Sequence, residues 1–218
     1  MNKQLGLIHT SATLVPIFQQ LCKEKLPGIE TFNIADDSLI KDVIRRGQLT
    51  PKTAKRVVDH VASAEAAGAD YILVTCSSIG RAVESAAALA GVPVLRVDQP
   101  MADKAVQSGK RIGIIATLPT TLEPTADLIQ RRAAKAGKEI QLVSRLCEGA
   151  FDALMSGDGP RHDNLVSAAL NDLTVQADVI VLAQASMARV VDGFAPEHKR
   201  VPILASPPIA IDYLASVL

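Results

Sequence analysis

Short apolar segments alternate along the chain with longer segments of helical periodicity. Segments such as 70–75 and 178–183 contain consecutive aliphatic residues, which is typical of strands covered on both faces. Between them, apolar residues recur every three or four positions, and glycine often follows the last one, as at helix C-termini. The predicted strands are residues 4–9, 29–34, 70–75, 92–97, 111–116, 139–143, 178–183 and 201–204. The predicted helices are residues 14–25, 36–46, 53–67, 81–90, 122–136, 162–176 and 208–217.

An internal repeat divides this pattern into two similar halves. Residues 69–81 align with residues 177–189 without a gap, so that Asp70 corresponds to Asp178 at an offset of 108 residues. Residues 5–10 match 112–117, and residues 91–95 match 200–204, in the same order and at nearly the same offset. Three ordered matches of this kind indicate a duplicated unit.

The alternation and the repeat together predict an α/β fold. Strands that alternate with helices form parallel sheets with right-handed crossovers and helices on both faces. We therefore expect two pseudo-symmetric three-layer α/β domains with mainly parallel sheets and an active-site cleft between them. Residues 1–100 plus 200–218 are expected to form the first domain, and residues 101–199 the second.

Composition narrows the range of partners. The 218 residues include 23 basic and 23 acidic side chains and only 6 aromatic ones, so neither nucleic acid nor a membrane is an expected partner. No apolar run approaches the roughly 18 residues that a membrane span needs. The three cysteines are odd in number and none has zinc-site spacing, which favours a cytoplasmic protein without a disulfide framework or metal.

Small polar residues follow four of the predicted strands. In open parallel sheets, ligands bind beyond the carboxyl ends of the strands. Hydroxyl and amide groups there, with backbone N–H groups at the next helix, can hold a carboxylate without fixed positive charge. The candidate substrate-binding residues are Thr10, Ser11, Ser77, Ser78, Thr117, Thr120, Thr121, Gln184 and Ser186.

Cys76 is the strongest candidate for a nucleophile or proton carrier. It follows a predicted buried strand and precedes a helix, and a helix N-terminus lowers the pKa of a thiol. The alternative is an ordinary buried cysteine, which is the expected role of Cys22 and Cys147. His9, at another strand end, is a candidate acid/base or orienting group, or else a side chain that caps local backbone.

The chain resembles the aspartate/glutamate racemase superfamily, which also contains hydantoin racemases, maleate isomerases and arylmalonate decarboxylases. The resemblance is carried by residues 72–78, 112–117, 178–183 and 201–207. It implies two α/β domains, cofactor-independent chemistry on a small-molecule carboxylate or carbon acid, and a homodimer. The family's racemases use two cysteines, one in each half. Ser77, Ser78, Thr117 and Thr120 or Thr121 match positions that hold the substrate in this family.

The chain departs from the family pattern at the second cysteine. Cys76 matches the first one, whereas Gln184 stands at the second position and His9 stands where glutamate racemases carry an aspartate. Glutamine has no acid/base pKa in the useful range, so a symmetric two-thiol racemisation is not expected. One-sided proton transfer by Cys76, with isomerase or racemase chemistry, is the first hypothesis. A decarboxylase or lyase with Cys76 as proton donor, a racemase with His9 as second base, and a non-catalytic carboxylate-binding protein are the alternatives.

Overall fold

The structure is a computed structural model that describes residues 3–193 and 200–218. Its strands are β1 (Gln4–His9), β2 (Glu30–Ala35), β3 (Tyr71–Val74), β4 (Val94–Arg96), β5 (Arg111–Ala116), β6 (Gln141–Leu146), β7 (Val179–Leu182) and β8 (Ile203–Ala205). Its helices are α1 (Val15–Lys25), α2 (Asp37–Arg46), α3 (Pro51–Ala66), α4 (Gly80–Ala87), α5 (Gln99–Ser108), α6 (Pro119–Lys135), α7 (Ala150–Met155), α8 (Gly159–Leu173), α9 (Ala188–Asp192) and α10 (Ser206–Val217). None of the helices in these described parts is both long and apolar enough to cross a membrane.

The strands form two four-stranded parallel sheets with the same topology. The first has the order β2-β1-β3-β4 and the second the order β6-β5-β7-β8. Each strand of the first sheet thus has a counterpart at the same place in the second. The predicted α/β class with two duplicated sheets is therefore confirmed.

The first sheet is covered by helices on both faces. Because side chains alternate along a strand, Leu5 and Leu7 face α1 and α10, in a cluster with Phe18 and Leu214. Ile8 lies on the opposite face, in a second cluster with buried residues of α2, α3 and α4. Both faces of β1 are thus apolar, which explains its continuous rather than alternating hydrophobic pattern.

The second sheet is covered in a similar way. Ile115 and Ile180 lie in a cluster with Val166 and Leu170 of α8, while α6 packs against β5 and β6. The edge strand β6 extends beyond the predicted segment, to Leu146. Its exposed Ser144 interrupts the apolar run, which is tolerated because an edge strand is less covered than a central one.

The chain divides into two compact units. One comprises Met1–Gln99 and Pro207–Leu218, and the other Pro100–Ser206. Residues 200–206 differ from the expectation that placed them in the first domain, because β8 pairs with β7 in the second sheet. Helix α5 was not predicted: it begins at Gln99, separated from β4 by only two residues, has Pro100 in its first turn, and buries Met101 and Ala105.

Local sequence determines where the helices begin and end. Asp36 caps α2 by accepting a hydrogen bond from the Ser38 N–H, and Thr50 caps α3 in the same way. Gly47 ends α2 with φ of 68°, a left-handed conformation that favours glycine. Both ends of α2 and the start of α3 are therefore specified by single capping residues.

Candidate functional site

The carboxyl edge of the first sheet brings several of the predicted site residues together. His9 is the last residue of β1, and Cys76 lies two residues beyond β3, the neighbouring strand. The Thr75 N–H donates to the Ile8 carbonyl at 2.9 Å, which extends the pairing of the two strands past their ends. The residues after both strands, Thr10 and Cys76 among them, are held side by side by this register.

Cys76 lies at the start of a 3₁₀ turn formed by Ser77–Ile79. Its extended backbone, with φ of −136° and ψ of 121°, turns the chain so that the N–H groups of Ser78 and Ile79 point back at its sulfur. The hydroxyl groups of Thr10 and Ser78 also hydrogen-bond to the sulfur. Four donors therefore surround a half-buried thiol, which is an arrangement suited to stabilising negative charge.

Burial nevertheless dominates the pKa of Cys76. Removal of the thiolate from water raises the pKa above the ordinary value, and the hydrogen bonds from Thr10, Ser78 and Ile79 offset only part of this rise. The position of Cys76 before a helix predicts a lowered pKa instead. The structure differs because desolvation outweighs the N-terminal donors, so that the neutral thiol is the main form at neutral pH.

His9 is fully buried and both of its ring nitrogens have partners. Its Nδ1 lies 2.9 Å from the Thr75 hydroxyl, and its Nε2 lies 2.9 Å from Oδ1 of Asn33. Burial lowers its pKa, although the hydrogen bond to Asn33 opposes this effect. In a neutral ring, Nε2 donates to Asn33 and Nδ1 accepts from the Thr75 hydroxyl, whose single proton also has the Ile8 carbonyl within reach, 3.2 Å from Oγ1.

These contacts fix the orientation of the His9 ring, and one of them joins it to Thr75, the residue before Cys76. Its ring also packs on Phe18, with centroids 5.6 Å apart. Because Thr75 immediately precedes Cys76, the bond from His9 helps to hold the segment that carries the thiol. Sequence reasoning missed Asn33 and Thr75 as partners. A polar residue within a strand, beside a buried histidine, is the signal that points to them.

The hydroxyl groups near Cys76 differ in their environment. Thr10, Ser77 and Ser78 are nearly buried, with 2%, 6% and 4% of their surfaces exposed. Ser11 is partly exposed, and its hydroxyl lies 2.8 Å from that of Thr13. The hydroxyls of Thr10 and Ser78 thus hydrogen-bond to the Cys76 sulfur, whereas the hydroxyl of Ser11 pairs with Thr13.

The corresponding edge of the second sheet is organised around Gln184. Its side-chain oxygen accepts from the Thr117 N–H at 2.6 Å and from the Thr117 hydroxyl at 2.9 Å. Gln184 begins a 3₁₀ turn, Ala185–Met187, with backbone angles close to those of Cys76. The glutamine therefore occupies the cysteine-equivalent position and engages both polar groups of Thr117 that were expected to bind substrate.

Three further predicted residues lie near the same strand ends. Thr120 and Thr121 are in the first turn of α6, where the Thr120 hydroxyl is buried without a hydrogen-bond partner and Thr121 is 3% exposed. Ser186 lies in the 3₁₀ turn and is partly exposed. The hydroxyl of Thr120 therefore retains capacity for a ligand.

The other two cysteines do not begin a strand-end 3₁₀ turn: Cys22 lies within α1, and Cys147 directly follows β6, where its N–H donates to the Ala116 carbonyl at 2.8 Å. Cys22 and Cys147 are 3% and 5% exposed and pack in apolar clusters, where burial raises the pKa of each to about 11. All three cysteines are free thiols. In the parts of the chain that the structure describes, no group of histidine, cysteine and carboxylate side chains is arranged to bind a metal ion.

A known protein family matches the chain over nearly its whole length. Residues 5–214 match a family model described as Asp/Glu/Hydantoin racemase. No curated protein sequence matches the chain. The match to the family model covers both sheets and therefore both cysteine-equivalent positions.

Several solved structures share the fold. Allantoin racemase from Klebsiella pneumoniae is 17% identical with a TM-score of 0.73, over 99% of this chain and 87% of that one. Glutamate racemase from Bacillus anthracis is 17% identical with a TM-score of 0.72, over 99% and 81%. Aspartate racemase from Picrophilus torridus is 12% identical with a TM-score of 0.73, over 98% and 94%. At these identities the likeness concerns the fold.

Proposed function

Because the chain belongs to the Asp/Glu/hydantoin racemase family, we propose that it catalyses proton transfer at the α-carbon of a small carboxylate or related carbon acid, with Cys76 as the acid/base. The reaction needs no cofactor in this proposal. The thiolate removes the proton to leave an enediolate, or the thiol delivers a proton to one. The observation that carries the proposal is the set of four hydrogen-bond donors around the Cys76 sulfur at a strand end.

The same donors account for the substrate class, because a thiolate that takes up the proton loses its charge and releases them to the substrate. A carboxylate that approaches Cys76 meets the N–H groups and hydroxyls of the turn 77–79 and the hydroxyl of Thr10. Preorganised donors of this kind stabilise the negative charge that develops on the carboxylate oxygens when the enediolate forms. Ser77 and Ser78 are the proposed carboxylate-binding residues, with Ser11 at the margin, and His9 orients the segment through Thr75.

Gln184 favours chemistry with a single proton carrier. Its side-chain oxygen is committed to Thr117, and an amide neither abstracts nor delivers a proton at neutral pH. Decarboxylation of an activated acid needs only one donor, because loss of carbon dioxide creates the enediolate that a thiol then protonates. This reaction is the second candidate. In either case Thr120, Thr121 and Ser186 are proposed to bind substrate, and Thr117 joins them by exchanging the Gln184 oxygen for the substrate carboxylate.

An exchange experiment in deuterated water tests the proposal. The protein is incubated with 2-amino acids, hydantoins, malonates and maleate, and α-deuteration, chirality and carbon dioxide release are followed. We expect turnover of one class to fall by about 10²- to 10⁴-fold in Cys76→Ala, as for loss of a general acid/base. Deuteration with inversion indicates racemisation, whereas deuteration with retention or carbon dioxide release indicates one-sided transfer.

Cys22→Ala is the matched control, since it removes a buried thiol that lies within α1, away from the strand-end turns. It is expected to keep the turnover of the unmodified protein. Undiminished turnover in Cys76→Ala would contradict the mechanism. Binding of a carboxylate without turnover would instead support the non-catalytic alternative.

A further inference from the structure

A buried ion pair lies at the end of β4, close to the Cys76 turn in the chain's first unit. Arg96 and Asp98 are 2% and 0% exposed. The guanidinium donates from Nε to Oδ1 of Asp98 at 2.9 Å and from Nη2 to Oδ2 at 2.8 Å. Its Nη1 donates to Glu84 of α4. Although burial alone lowers the pKa of Arg96, Asp98 and Glu84 raise it above the ordinary value, so the group is a permanent cation.

The guanidinium fills the space beside Gly80, the first residue of α4. A Cβ atom at this glycine would lie 2.2 Å from Cζ and 2.3 Å from Nη2 of Arg96. A flexible arginine would move aside at little cost, but this one is held by two carboxylates. Arg96 therefore contacts the start of α4 at Gly80 and again one turn later at Glu84, which positions the helix relative to β4.

The start of α4 is continuous with the turn that faces Cys76. The Gly80 N–H donates to the Ser77 carbonyl and closes the 3₁₀ turn Ser77–Ile79. The N–H groups of Ser78 and Ile79, which point at the Cys76 sulfur, belong to this turn. A shift of Gly80 away from the guanidinium would therefore change the direction of both donors.

The second half of the chain lacks this arrangement. The sheet register pairs Val74 with Arg96 and Leu182 with Ala205, so Ala205 holds the position of the arginine. Ala188 holds the position of Gly80, and its φ and ψ of −57° and −41° are close to the −56° and −36° of the glycine. Backbone conformation thus does not require glycine at position 80. The Arg96 guanidinium requires glycine there, because it occupies the place of a Cβ atom. This guanidinium lies in the half of the chain whose 3₁₀ turn begins with cysteine, whereas the turn of the other half begins with glutamine.

We infer that Arg96 is a positioning residue for Cys76: held by Asp98, it contacts Gly80 and keeps the N–H groups of the turn 77–79 directed at the sulfur. This inference rests on the proposed role of Cys76, but it concerns the reactivity of the thiol and not the identity of the substrate. Asp98 and Glu84 act through Arg96, since they determine where its guanidinium lies.

The pH dependence of Cys76 alkylation tests the inference. The protein is treated with iodoacetamide over a range of pH, and alkylation of Cys76 is followed by peptide mass spectrometry, which separates it from Cys22 and Cys147. In Arg96→Lys the charge is kept but the two-pronged contact with Asp98 is lost. In Gly80→Ala the guanidinium is displaced. Both are expected to raise the midpoint of the rate profile by about one pH unit, a tenfold loss of thiolate below the midpoint.

Arg132→Lys is the matched control. Arg132 makes a comparable two-pronged pair with Asp103, with Nη2 and Oδ2 2.8 Å apart, in the other unit of the chain. It is expected to leave the Cys76 midpoint unchanged. If Gly80→Ala and every folded Arg96 variant also leave the midpoint unchanged, the positioning role is wrong and the pair serves stability alone. Since alkylation needs no substrate, this result is independent of whether the proposed reaction occurs.

Discussion

Cys76 experiences two opposing influences on its ionisation. Burial favours the neutral thiol, and the donors from Thr10, Ser78 and Ile79 favour the thiolate. Burial is the larger effect, so the pKa is raised. Because this environment keeps the thiol protonated at neutral pH, Cys76 is suited to donate a proton. Cys76 acts as a strong base only in the fraction of molecules in which the thiolate has formed.

The pH dependence of turnover distinguishes these two uses of Cys76. If the thiolate abstracts the proton, the rate is expected to rise about tenfold per pH unit from pH 7 toward the raised pKa, because each unit increases the thiolate fraction tenfold. If the thiol delivers the proton, the rate is expected to be flat over this range and to fall above the pKa. Initial rates at low substrate concentration measure this, because kcat/KM reports the pKa of the free enzyme. A midpoint below the ordinary pKa of a thiol for either limb would contradict the raised pKa.

At the scale of single residues, the sequence indicated the candidates but not their partners. Cys76, His9 and Gln184 were recognisable from their places after apolar strands. Which groups they contact depends on the register between strands, as in the pairing of Gln184 with Thr117. The direction of the Cys76 pKa was mispredicted because helix-terminal donors are visible in a sequence and desolvation is not.

At the scale of elements, short capping sequences place the helices that follow the strands. In α2, Asp36 caps the N-terminus and Gly47 ends the helix, with its N–H donating to the Ile44 carbonyl at 3.2 Å. Asp36 also hydrogen-bonds to Nε2 of His60 at 2.8 Å and to Arg56, so the cap links α2 to α3. The residue that caps α2 therefore also holds it against α3.

Replacement of Gly47 tests the local specification of α2. A Cβ at Gly47 has no atom within 4 Å, so Gly47→Ala introduces left-handed strain without a packing clash. We expect the free energy of unfolding to fall by about 1 kcal/mol, and by less in Gly47→Asn, since asparagine tolerates this conformation. Urea denaturation measures the change. Gly193→Ala is the control, because this helix-ending glycine has φ of −84°. Equal effects at both glycines would argue against backbone strain as the cause.

At the scale of the whole molecule, the chain forms two sheets of the same topology in succession, and its last helix then packs on the first sheet. Helix α10 follows β8 of the second sheet but packs on the first, where Ala210, Ile211 and Leu214 are fully buried. The first unit is therefore discontinuous in sequence, and its apolar face beside α1 is completed by the last residues of the chain.

A core substitution in α10 is expected to weaken the first sheet selectively. Leu214→Ala removes a fully buried side chain from the cluster that contains Leu7 and Leu73, at a cost of about 2–5 kcal/mol. Hydrogen exchange followed by mass spectrometry should show faster exchange mainly in β1 and β3. Leu170→Ala, in the cluster on β5 and β7, is expected to show the reverse pattern. Equal loss of protection in both sheets after Leu214→Ala would contradict this assignment.

The sequence by itself determined the alternation of strands and helices, the duplication, and the residues placed at strand ends, because these depend on periodicity and on matches along the chain. Only the tertiary structure decided that β8 belongs to the second sheet, that Gln184 holds Thr117, and that Arg96 lies against Gly80. Each of these depends on which residues face one another across neighbouring elements. Burial and hydrogen-bond partners arise from that register, and they determine the ionisation of Cys76.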